Sequence, residues 1–161
     1  MKPVVWFRIT AVVILLFAVG HTFGFLAFRP STTEGRAVWL AMNSVRFAEG
    51  HSTFSYGGFY VGFGLFVTAF QLFAAWLAWL LGSMTRQRAA SVYLIAWGMF
   101  ALQLVEIGLS LRYFSAGPAV LSAMAAACLA MAAISNRRSA VAIGGRAPGN
   151  NVVLGAGKAR Q

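Results

Sequence analysis

The sequence predicts an all-α membrane protein: a four-helix transmembrane bundle with an extra amphipathic helix between the first and second spans. Three observations carry this. Of 161 residues, 60% are hydrophobic and 10% charged, whereas a soluble globular domain carries roughly 25% charged residues. One core of this size cannot hide such a surplus from water. The apolar residues also fall into four runs, each close to the ~20 residues that cross a ~30 Å hydrocarbon layer. Finally, the basic residues divide unequally between the two sets of connections, as cytoplasmic and external loops do.

The first span is predicted over about 4–28, interrupted by Arg8 and His21. Lys2 and Arg8 with the run Ile9–Val19 imitate a signal peptide. The apolar run resumes after His21, however, and signal cores are typically only about 7–15 residues. The reading is therefore an uncleaved helix. Arg29-Pro30 ends it, and Ser31-x-x-Glu34 reads as a capping box that opens an outer amphipathic segment over 31–47. The second span, about 56–81, has no formal charge, and the third, about 89–113, contains Glu106. The fourth is alanine-rich and reaches spanning length over 117–135 only with Gly117, Pro118 and Ser135 included. The short links between spans two and three, and three and four, predict antiparallel neighbours in a compact bundle. Domain organisation is then a transmembrane unit over 1–135 and a basic, flexible cytoplasmic tail over 136–161.

With four spans, Lys2, Arg8, Arg86, Arg88, Arg137, Arg138, Arg146, Lys158 and Arg160 share one side, against Arg29, Arg36, Arg46 and Arg112 on the other. This nine-to-four division puts both termini in the cytoplasm. The net charge of +10 thus reads as topology plus attraction to anionic headgroups. No nucleic-acid partner is expected, because the basic tail is sparse and has no interleaved aromatics. Membrane lipids are the expected partners, and Gly20-x-x-x-Gly24 and Gly58-x-x-x-Gly62 offer small-residue faces for helix packing or oligomerisation.

Ionisable groups at membrane depth are functional candidates by default. His21 and Glu106 each lie seven residues from the outer end of their span, about 10 Å below the surface, so the sequence predicts that they face each other. Gln103, Glu106 and Ser110 form one stripe at helical spacing, with Gln71 and Thr68 at nearby depth. The candidate ligand-binding set is His21, Tyr60, Gln71, Gln103, Glu106 and Ser110; the catalytic candidates are His21 and Glu106. Three readings compete: a structural polar seam, a binding or transport site for a hydrophobic or cationic molecule with Glu106 as its counter-ion, and acid–base chemistry on a lipid-like substrate. No cofactor and no metal are expected. Glu49 and His51 alone make a weak ligand pair, bis-histidine haem would need a second transmembrane histidine, and the lone Cys128 excludes an intrachain disulfide.

The stretches Gly20–Gly24 (GHTFG), Glu34–Phe47 (EGRAVWLAMNSVRF) and Ser55–Phe66 (SYGGFYVGFGLF) together resemble an uncharacterised family of small four-span bacterial integral membrane proteins. The resemblance covers roughly 10–81. It implies the bacterial inner (plasma) membrane and one site shared by His21 and the start of the second span, and it implies no activity. The function expected is binding or moving a small hydrophobic molecule through an intramembrane polar site. The alternatives are a lipid-modifying enzyme using a His/Glu pair, or a purely structural membrane subunit.

Overall fold

The architecture follows from where the chain stops its own helices. The computed structural model describes residues 1–85 and 89–144. Over these the elements run α1 (Pro3–Ala27), α2 (Thr33–Ser44), β1 (Arg46–Glu49), β2 (Ser52–Ser55), α3 (Tyr56–Met84), α4 (Ala89–Tyr113) and α5 (Ala116–Gly144). Helices α1, α3, α4 and α5 are each long and apolar enough to cross a membrane, which marks a chain of the multi-pass membrane type. Side chains such as Phe63, Phe66, Phe70, Phe73 and Trp76 are more than half exposed along α3. An apolar face that size suits lipid and not water.

Pro3 opens α1 at its first turn, where the missing N–H has no helical partner to lose. At the other end Arg29 folds back, its Nη1 donating to the carbonyls of Leu26 at 3.0 Å and Phe28 at 2.7 Å. These are carbonyls the helix end leaves without partners. The cap of α2 corrects the expected box: Thr32, not Ser31, is the N-cap, and its hydroxyl accepts from the Gly35 N–H at 3.0 Å. Ser31 instead offers its carbonyl to Arg36 at 2.7 Å.

Helix α2 also ends at Ser44, short of the expected Phe47. Asn43 Nδ2 donates to the Trp39 carbonyl at 2.7 Å and Ser44 Oγ to the Ala41 carbonyl at 3.4 Å, local bonds that compete with continued helix. The chain then turns into an antiparallel hairpin that pairs Phe47 with Phe54 and Glu49 with Ser52. Gly50, at φ 59°, supplies the left-handed residue such a tight turn requires. Four-residue strands are marginal alone. The Phe47 ring anchors them, with centroids 6.1 Å from Phe54, 4.9 Å from Tyr56 and 6.0 Å from Phe59. Ser55 closes β2 and caps α3, accepting from the Gly58 N–H at 3.0 Å.

Helix α5 continues nine residues past the expected boundary at 135, to Gly144. Loss of apolar character is not loss of helix propensity, and Ala140 and Ala142 are strong formers. The remainder of the expected tail, 145–161, lies outside the described residues, as do Arg86 and Arg88.

Helix α1 packs along both α3 and α5, and α4 packs along α5. Helices α3 and α4 meet only locally, although the short link between them predicts close neighbours. The pairings are set by where small residues let backbones approach. Gly82 receives Phe7, Gly64 receives the Phe25 ring, and Gly57 receives Asn43: a Cβ added to these glycines would stand 3.2, 2.7 and 2.5 Å from them. The glycines picked out by spacing behave otherwise, since a Cβ on Gly20, Gly24 or Gly62 would meet nothing within 4 Å. The core gathers at one end, where Phe7, Ala78, Val92, Ala96, Leu129 and Ala132 are fully buried.

Candidate functional site

The site lies beside the core, toward the ends of α1 and α4 that precede α2 and α5. A cavity of about 560 Å³ lies between α3 and α4, with Phe17 and His21 of α1 in its lining. That volume is typical of a small-molecule pocket. Its walls are mostly apolar, including Phe17, Phe70, Phe73, Leu102 and Phe114; its polar groups are His21, Gln71, Gln103, Glu106 and Ser110.

Glu106 organises the polar part. Its Oε1 accepts from Gln71 Nε2 of α3 at 2.9 Å. Its Oε2 accepts from Gln103 Nε2, one turn earlier on α4, at 2.9 Å, and from Ser122 Oγ of α5 at 3.3 Å. All four residues sit where a stripe at helical spacing meets two neighbouring helices. Gln71, Gln103, Ser110 and Ser122 are all buried, so the stripe faces inward, as its period requires. The Gln71–Glu106 bond is the polar tie across the α3–α4 gap. Buried polar groups are costly when unpaired, and here each partner satisfies another.

His21 reaches the same cavity but not Glu106. Its Nε2 donates to the Gly64 carbonyl at 3.2 Å, an oxygen that also accepts from Thr68 Oγ1 at 3.1 Å. Thr22 and Thr68 share a further bond at 2.8 Å, so Thr68 belongs to the α1–α3 seam and not to the Glu106 stripe. The two ionisable groups line one cavity and bind different partners, with no direct bond between them. Matched depth left the azimuth of α1 open, and the absent side chain at Gly64 draws His21 and Phe25 toward α3. Phe17 and Phe25 flank the His21 ring, at centroid distances of 6.1 and 5.1 Å.

Tyr60 does not line the cavity. It lies in an aromatic chain above it, 6.4 Å from Phe25 and 6.1 Å from Trp39, and Trp39 in turn meets Phe28 at 6.2 Å. This chain fastens α2 over the start of α3. Ser122 was missed in the sequence, because a serine among alanines has no periodic partner. Glu49 and His51 lie at the hairpin tip, and among the described residues no cluster of three or more metal-ligating side chains forms.

Chemically, the arrangement offers one carboxyl group held by three neutral donors, a histidine ring some way off, and an apolar enclosure. It can hold an amphiphile by one polar group. Among the described residues, the side chains bonded to Glu106 are two amides and a hydroxyl. No family model, no curated protein and no solved structure matches this chain.

Proposed function

We propose that this chain is an integral membrane protein of the bacterial inner membrane, with both termini cytoplasmic, that binds a small hydrophobic molecule in an intramembrane cavity. The observation that carries the reading is the position of Glu106: a carboxyl group tied by Gln71, Gln103 and Ser122 at the wall of a cavity of about 560 Å³. In this reading the four long helices form a transmembrane bundle left open between α3 and α4. Helix α2 lies at the outer interface and covers the mouth, and the basic residues near the two termini anchor the cytoplasmic side. An enzymatic role is the weaker alternative, since the side chains bonded to Glu106 are two amides and a hydroxyl.

The test is to identify what copurifies. The protein extracted in a mild non-ionic detergent should carry one amphiphile in near-stoichiometric amount, seen by mass spectrometry of the lipid extract. Ala74→Trp, which fills the cavity from α3, should remove that species while leaving bulk phospholipid unchanged. Identical extracts from both proteins would show that the cavity holds nothing specific.

A further inference from the structure

We propose that the cavity selects a cationic amphiphile, its positive head against Glu106 and its apolar tail in the opening between α3 and α4. The inference rests on the binding reading above and adds the charge of the ligand.

Among the described residues, no cationic side chain is bonded to Glu106, and Arg46 lies on β1 outside the cavity lining. Nor, among the described residues, does any lysine or arginine line the cavity, whose ionisable members are Glu106 and His21. Of the arginines at that end, Arg29 binds the carbonyls that close α1 and lies over Trp39 at 5.8 Å. Arg36 donates to Ser31 and Thr33, and the Arg112 guanidinium sits over the Tyr113 ring at 5.5 Å. His21 is held by the Gly64 carbonyl. The three groups that do reach Glu106 are neutral. A carboxyl group held by three neutral donors in an apolar wall has the character of a counter-ion site for a cation.

The enclosure favours the same charge. Phe17, Phe70, Phe73 and Phe114 are among the side chains lining the cavity, and aromatic rings are the side chains that attract cations, quaternary ammonium groups above all. A neutral head would satisfy hydrogen bonds and leave the charge unbalanced. An anionic head would be repelled.

Three probes with one tail isolate the charge: decyltrimethylammonium, decanol and decyl sulfate, each radiolabelled. Equilibrium dialysis against the full-length protein in non-ionic detergent, with protein-free micelles subtracted, reads saturable binding. The ammonium probe should saturate at one per chain, at least tenfold tighter than decanol, with no saturable sulfate binding. Glu106→Gln should bring the ammonium affinity down to the decanol level. Decanol or decyl sulfate binding as tightly as the ammonium overturns the charge inference and leaves a ligand cavity standing. Saturable binding by none of the three overturns both readings. The wild-type comparison decides the matter even if Glu106→Gln does not fold.

Discussion

The two ends of the helix array are built from the same kinds of residue and arranged in opposite ways. At one end Phe7, Ala78, Val92, Ala96 and Ala132 are each 0% exposed, and residues of all four long helices join one core. Even the Thr10 hydroxyl is absorbed there, donating to the Trp6 carbonyl of its own helix at 3.0 Å. At the other end α3 and α4 part, and polar side chains span the gap in place of packed carbon. Lipid tails are as apolar as leucine, so helices in a bilayer gain little from burial as such. They gain from close contact and from interhelical hydrogen bonds. The closed end relies on the first and the open end on the second. The molecule is therefore expected to take its stability from one end and its selectivity from the other.

The largest expected effect breaks the closed end. Phe7→Ala removes a fully buried ring from against Gly82 and should cost about 2–3 kcal/mol. That lies below the usual loss for a buried aromatic, since transfer to lipid recovers part of it. Thermal or denaturant unfolding in detergent measures the loss. A cost below ~0.5 kcal/mol would mean that the closed end is not the stabilising one.

A smaller effect separates glycines by what faces them. Gly64→Ala drives a methyl group toward the Phe25 ring, at 2.7 Å from its nearest atom, and should cost about 1–2 kcal/mol through overpacking. Gly62→Ala, two residues away with nothing within 4 Å, should be neutral or slightly stabilising, because alanine is the better helix former. Equal costs at the two positions would remove Gly64 from its place under His21 and Phe25.

The contrast between these glycines shows what the sequence could reveal. Spacing picked out Gly20-x-x-x-Gly24 and Gly58-x-x-x-Gly62, whereas the close approaches between helices fall at Gly57, Gly64 and Gly82, and Gly58 meets only its own cap Ser55. Spacing fixes which residues share a helix face and is silent about which face meets which helix. The spans themselves were legible to within a few residues, because a run of apolar residues near 20 has few other meanings. The stripe Gln103, Glu106, Ser110 was legible for the same reason, as was Gln71 by its depth. The gap between α3 and α4 was not, since a short link constrains direction and not contact. Nor was the hairpin over 46–55, whose strands are held by Phe47 meeting rings of the following helix. The continuation of helix α5 to Gly144, beyond the candidate span Ala116–Arg137, hid behind two arginines that end a hydrophobic run without ending a helix.

The smallest expected effect concerns coupling across the open end. Interhelical polar contacts in membranes average about 0.6 kcal/mol, so a double-mutant cycle of Gln71→Leu with Glu106→Leu should give a coupling of about that size. The cycle of His21→Ala with Glu106→Leu should be additive within ~0.3 kcal/mol, because each group bonds a different partner. A larger coupling for the second pair than for the first would restore the ion pair that matched depth predicted.

The difference between the ends is tested most directly on α3, where four residues separate the two regimes. Ala74 lines the cavity, while Ala78, one turn on, is 0% exposed in the closed core. In a Cys128→Ala background, cysteine at each position is challenged in detergent with a small uncharged alkylating reagent. Cysteine at 74 is expected to react at least tenfold faster than cysteine at 78, and decyltrimethylammonium is expected to protect it. Equal rates at the two positions, both slow, would contradict an open cavity at Glu106 and with it the division of the molecule into a closed end and a binding end.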